Sequence, residues 1–94
     1  MPKNNFKERS KDKFLEVKIL WPPATKKESF SGKVKAISGR NRLGNFDILP
    51  NHENFISLTF NNLIIHTIDK KINYQFDRGV LEVSENKVKI FLGL

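Results

Sequence analysis

The sequence predicts an all-β domain, an antiparallel β-sandwich or flattened barrel of about eight to ten short strands. Three observations carry that expectation. Apolar residues recur with a period of two rather than 3.6, turn-forming residues interrupt the chain at short intervals, and no stretch shows the spacing of an amphipathic helix. An antiparallel sandwich buries one face of each such strand in a single shared core.

The first strand runs through Leu15, Val17 and Ile19, which alternate with Glu16 and Lys18. Trp21 and Pro22-Pro23 close it, because proline cannot donate to a sheet ladder. A short Lys27–Phe30 segment and Ser31-Gly32 lead into Lys33-Val34-Lys35-Ala36, where Ile37 breaks strict alternation and predicts a bulge or twist. A loop is expected from Gly39 to Gly44, and then a short extended piece from Phe46 to Leu49.

Pro50 restricts Leu49 to extended geometry and Asn51 accepts left-handed conformations, so the chain corners there and leaves His52 at an exposed bend. Ile56, Leu58 and Phe60 then alternate with Phe55, Ser57 and Thr59. Asn61-Asn62 predicts a hairpin turn before Leu63–Ile68, and Asp69-Lys70-Lys71 makes the next turn. Ile72, Tyr74 and Phe76 supply another apolar face before an expected turn at Asp77-Arg78-Gly79. Val80–Val83 and the strand bearing Val88, Ile90 and Leu92 form the last hairpin around Ser84-Glu85-Asn86.

The chain of 94 residues, 38% hydrophobic with eight Phe, suits one small domain. Residues 1–13 read as a flexible basic arm and 14–94 as the sandwich. The absence of cysteine excludes disulfides, thiolate metal sites and a cysteine nucleophile. Apolar runs such as Leu63-Ile64-Ile65 fall far short of the roughly 20 residues that span a bilayer. The expected location is therefore cytosolic or peripheral to a membrane.

The net charge of +7 raises the question of a phosphate-bearing partner. In the leader, Lys3, Lys7, Arg9, Lys11 and Lys13 are interrupted by Glu8 and Asp12. Lys33, Lys35, Arg40 and Arg42 contain no intervening acid and are the better candidates for a positive patch on a strand and its following loop. A solvated basic face is the ordinary reading of both groups.

Candidate chemistry is sparse. His52 and His66 are distant and make a poor zinc set. Asp47, Glu53, Asp69, Asp77, Glu82 and Glu85 mostly mark turns, and Trp21, Phe30 and Tyr74 fit core packing better than base stacking. No nucleophile with its base and no phosphate-cradling glycine loop is visible, so no catalytic residue, cofactor or metal ligand is assigned.

Four ordered blocks carry a specific likeness: Phe30-Ser31-Gly32-Lys33-Val34, Phe46-Asp47-Ile48-Leu49-Pro50-Asn51-His52, Arg78-Gly79-Val80-Leu81-Glu82-Val83, and Asn86-Lys87-Val88-Lys89-Ile90. With them, Phe14 to Leu94 resembles the N-terminal β-sandwich domain of the epsilon subunit of F-type ATP synthase, called delta in mitochondria. The resemblance implies a non-catalytic rotor part that couples the gamma subunit to the loops of the membrane c ring in a proton-translocating complex. It implies peripheral attachment at the cytoplasmic face of a prokaryotic membrane, with no cofactor, no nucleic acid and no small-molecule substrate of its own. Asn45, Asn51 and His52 are the residues it implies for the c-ring contact.

Departures from the family pattern qualify the likeness. Asp47 stands where glycine is usual, Arg78-Gly79 where two glycines are usual, and neutral Asn45 where many relatives carry a carboxylate facing the ring. Relatives commonly continue into a C-terminal helical hairpin that inhibits hydrolysis and in some binds ATP. Neither property is expected of a sandwich alone. The competing reading is a small basic β-barrel that binds single-stranded nucleic acid, which predicts strongly salt-dependent affinity.

Overall fold

The computed structural model describes residues 13–94. The expected basic arm lies outside the described residues, apart from Lys13. Among the described residues, seven strands carry the fold: β1 (Leu15–Leu20), β2 (Phe30–Val34), β3 (Ala36–Asn41), β4 (Gly44–Ile48), β5 (Phe55–His66), β6 (Lys71–Ser84) and β7 (Lys87–Leu92), with a 3-10 turn at Pro23–Thr25. They form one sheet in the order β2-β1-β7-β6-β5-β3-β4, so the barrel is not closed. The pairing is antiparallel throughout except where β1 runs parallel to β7.

The long β5–β6 ribbon belongs to both halves of the sandwich. Residues 79–84 of β6 pair with β7, and residues 64–66 of β5 pair with β3. One core joins the halves: Leu15, Ile19, Val88 and Ile90 come from one, and Ile37, Ile48, Leu63 and Ile65 from the other. Removing these apolar side chains from water is the main favourable term holding the halves together. The buried hydroxyl of Thr59 donates to the Arg40 carbonyl at 3.0 Å, so the polar side chain in this core is satisfied.

The all-β sandwich is as expected, with fewer and longer strands because two expected turns lie inside strands. Pairing continues through Asn61↔Phe76 and Asn62↔Gln75, with a register shift between Phe60 and Asn61. Asn61 does adopt positive φ (74°), so its turn chemistry is used in a bulge. Opposite it, Asp77 is the extra residue of β6: Phe60 pairs with Arg78 and Asn61 with Phe76. The inward set of β6 accordingly switches from Ile72, Tyr74 and Phe76 to Gly79, Leu81 and Val83. The Gly39–Gly44 loop likewise shrinks to a turn at Arg42-Leu43, since Gly39, Arg40 and Asn41 pair with β4. The chain does break near Ile37, at Lys35, where it passes from β2 at one sheet edge to β3 near the other.

Candidate functional site

The corner between β4 and β5 is built by local backbone constraints. Asn51 takes φ 69°, and the His52 amide donates to the Leu49 carbonyl at 3.1 Å, closing the turn around Pro50. The β6–β7 turn holds it from the side. The Asn51 amide donates to Asn86 Oδ1 at 2.6 Å, Asn86 Nδ2 donates to Asn51 Oδ1 at 3.3 Å, and the Glu85 amide donates to Asn54 Oδ1 at 3.4 Å. Glu85 and Asn86 both have positive φ, 51° and 62°, as a two-residue hairpin turn of the primed type requires.

His52 is half-buried and oriented twice over. Its Nδ1 lies 2.7 Å from the Glu53 carbonyl, and because a carbonyl only accepts, Nδ1 carries a proton and donates it. Its ring meets Phe55 edge-on at 5.6 Å, and Phe55 meets Phe46 at 5.6 Å. Asn45, next to Phe46, is exposed on β4 opposite Arg40 of β3. The predicted residues Asn51 and His52 therefore share one corner, while Asn45 lies on β4 away from it, its side chain on the opposite face of the strand from Phe46 in the Phe46–Phe55–His52 line of rings.

The hairpin tip beside Asn45 carries a residue that sequence reasoning missed. Leu43 is 97% exposed. Asn41 fixes the turn, accepting from the Leu43 amide at 2.9 Å and donating from Nδ2 to Ser57 Oγ at 3.3 Å. The signal available in the sequence was a lone leucine between Arg42 and Gly44, within the otherwise polar and glycine-containing run from Gly39 to Asn45. Arg40 and Arg42 lie at this hairpin, whereas Lys33 lies on β2, the opposite edge strand. The expected four-residue basic patch is thus divided between two edges.

A second side-chain constellation lies on β3, β4 and β5. Ser38 Oγ is 2.8 Å from Asp47 Oδ1 and 2.9 Å from His66 Nε2. The single hydroxyl proton goes to the carboxylate, so His66 Nε2–H must donate to Ser38. The acid touches the serine rather than the histidine, and His66 donates to the serine instead of accepting from it, so the order of a serine–histidine–acid triad is absent. The row ties three strands together.

Trp21, Phe30 and Tyr74 pack against the core. Lys27 Nζ lies 4.3 Å from the Trp21 ring centre, and burial pushes the Tyr74 phenol above its ordinary 10.0. Among the described residues there is no group of three or more His, Asp or Glu side chains placed to hold a metal, and no helix is long and apolar enough to cross a membrane.

The sequence profile of the family described as "ATP synthase, Delta/Epsilon chain, beta-sandwich domain" matches residues 15–92. An ATP synthase epsilon chain of Clostridium botulinum strain Eklund 17B is 33% identical over 82 residues, covering 85% of this chain and 58% of that protein. The epsilon chain of strain Alaska E43 is 32% identical over 84 residues, with the same coverage of 85% and 58%. The chain therefore spans less than two thirds of these relatives' length. Among solved structures, a chain of the Euglena gracilis mitochondrial ATP synthase (OSCP/F1/c-ring, rotational state 1) superposes with a TM-score of 0.75 at 20% identity, covering 86% of this chain and 51% of that one. A chain of the Tetrahymena thermophila mitochondrial ATP synthase central stalk and c-ring gives a TM-score of 0.71 at 14% identity, covering 89% and 66%. At these identities the two structures establish a shared fold.

Proposed function

The chain belongs to the delta/epsilon β-sandwich family of ATP synthase, and from that membership we propose that it is a non-catalytic part of the central stalk, joining the gamma subunit to the c ring. The observation that carries this reading is the family match over residues 15–92, which takes in all seven strands and every loop between them. The match spans a whole folding unit rather than one motif. The c-ring structures from Euglena and Tetrahymena support the placement, and the Clostridium relatives support the cytoplasmic face of a bacterial membrane. In this reading the complex translocates protons, and the chain transmits torque through its binding surfaces alone.

The proposed ring contact comprises Asn45, Asn51 and His52. A torque-bearing contact requires side chains fixed before the partner arrives, because ordering them on docking would subtract from affinity. The corner meets that requirement through its bonds to the β6–β7 turn and through His52 Nδ1. Asn45 supplies no carboxylate, so its contact is a neutral hydrogen bond.

The test is co-expression with the cognate gamma subunit and c ring, followed by purification through a tag on gamma. The wild-type chain is expected to copurify with both. His52→Ala is expected to weaken retention of the ring while barely changing the melting temperature, because the ring is half-buried and outside the main core. A large loss of stability with full ring retention would assign His52 a purely structural role. Failure of the wild-type chain to copurify, together with salt-sensitive binding to single-stranded DNA, would overturn the stalk reading.

A further inference from the structure

The sheet assembles a basic cluster whose members are scattered in the sequence. Across β2, β1 and β7, Lys33, Glu16 and Lys87 stand in one row, and Ser31, Lys18 and Lys89 in the next. All six side chains are exposed, because the residues that alternate with them are the ones turned toward the core. Lysine thus fills four of six adjoining positions. Lys18 and Lys89 are direct neighbours of like sign, an arrangement that costs energy in the free protein and that a bound anion would relieve.

These side chains wall a groove of about 390 Å³, within the size range of small-ligand sites. Its floor includes Val17 and Val88, whose side chains are buried, so main chain lies between the lysine stems. The acids do not balance the charge evenly. Glu16 is flanked by Lys33 and Lys87, and Glu82 lies beyond Lys89 on β6, so the excess of positive charge falls at Lys18 and Lys89.

We propose that this groove binds a ligand carrying two or more linked phosphate groups, one held between Lys18 and Lys89 and the next reaching Lys33 and Lys87. The site goes beyond the stalk reading and does not depend on it. The spacing suits such a ligand. Strands lie about 4.8 Å apart and alternate residues about 6.6 Å apart along a strand, so the flexible ammonium groups of both pairs reach neighbouring phosphates. Each ammonium brings three donors to phosphate oxygens that only accept, and Ser31 adds a hydroxyl at the edge of the groove. The lining contains no aromatic ring on which a base could stack, so the phosphate chain itself is the recognised group. Two sources carry that chemistry: a free polyphosphate and the headgroup of diphosphatidylglycerol.

Calorimetric titration of the full chain with inorganic triphosphate at low salt reads the site, with cooperative melting by circular dichroism as the folding control. Saturable one-to-one binding is expected, at least about tenfold tighter than that of monophosphate, which engages a single lysine pair. Lys18→Gln/Lys89→Gln should weaken triphosphate binding at least about tenfold, whereas Lys70→Gln/Lys71→Gln, which removes the same charge where β6 begins, should leave it within about twofold. Lys33→Gln/Lys87→Gln should weaken triphosphate binding while sparing monophosphate. Sedimentation with phosphatidylcholine vesicles, with and without diphosphatidylglycerol, separates the sources. Vesicle binding that needs diphosphatidylglycerol and is lost in Lys18→Gln/Lys89→Gln assigns the groove to the headgroup, and triphosphate binding without vesicle binding assigns it to a free polyphosphate. Failure to bind either probe overturns the proposal. Equal losses in the Lys18/Lys89 and Lys70/Lys71 variants overturn it as well, because they would show attraction to net charge alone.

Discussion

Gly79 lies where β6 has just changed faces, and no other residue fits there. A Cβ at this position would stand 2.7 Å from the Phe91 carbonyl oxygen and 2.8 Å from Leu92 Cδ2, and the first of these is backbone of the neighbouring strand. Gly79→Ala is therefore expected to cost about 1–3 kcal/mol through overpacking. For a domain of this size each kcal/mol lowers the melting temperature by roughly 4–8 °C. An unchanged melting temperature would mean that β7 gives way freely. Tyr74 yields a second test at this scale. Its phenol is held above the ordinary 10.0 by burial, so the folded protein keeps a proton that the unfolded chain releases near pH 10. Stability should thus be level below that point and fall as pH rises through the raised value. Tyr74→Phe should remove that part of the alkaline slope, which denaturant melts between pH 9 and 11 would read. The site residues show what local chemistry can and cannot reveal. Pro50 and Asn51 announce the corner from sequence alone, because their backbone preferences act within a few residues. Ser38, Asp47 and His66 announce nothing: the serine and histidine are 28 positions apart and meet only through the pairing of β3 with β5.

The strands were legible to the extent that period-two alternation survives burial. Leu15, Val17 and Ile19, and likewise Val88, Ile90 and Leu92, alternate in the sequence and are buried in the structure. The breaks in alternation were visible too, at Asn61-Asn62 and at Asp77-Arg78-Gly79, but their meaning was not. A residue that tolerates positive φ serves a turn or a bulge equally well, and only the partner strand decides which. Here Asp77 shifts the register of β6 so that one strand lines both halves of the core. Deleting Asp77 should therefore be far worse than replacing it. In the deletion, either Ile72, Tyr74 and Phe76 or Gly79, Leu81 and Val83 must face outward, and one half of the core loses its wall. Circular dichroism and solubility should report an unfolded or aggregated chain. Asp77→Ala keeps the count of residues and the face switch, and its exposed side chain should cost less than about 0.5 kcal/mol. A folded deletion variant would show that the ribbon can slip without penalty.

Because the β5–β6 ribbon runs through both halves, neither half has a core of its own to fall back on. The buried cluster is one, drawing Ile48 and Leu63 from one side and Leu15 and Ile90 from the other. The open sheet also places its two edges, β2 and β4, at the ends of the order rather than sealing them in a barrel. A molecule built this way should unfold as a single cooperative unit. Trp21, the only tryptophan, sits against Tyr74 at 6.4 Å and against Gly93, so its fluorescence reports one end of the sandwich, while far-UV circular dichroism reports all strands. The two probes should give the same midpoint in urea. Ile48→Ala, on β4, should lower stability by about 2–5 kcal/mol as a buried large-to-small change. It should move both midpoints together although Trp21 follows β1 in the other half, and coincident transitions are the mark of two-state behaviour. A dichroism transition that moves ahead of the fluorescence transition in this variant would show that the β3–β4 half melts independently. That result would count against the proposed stalk role, which requires a body that does not open locally under load.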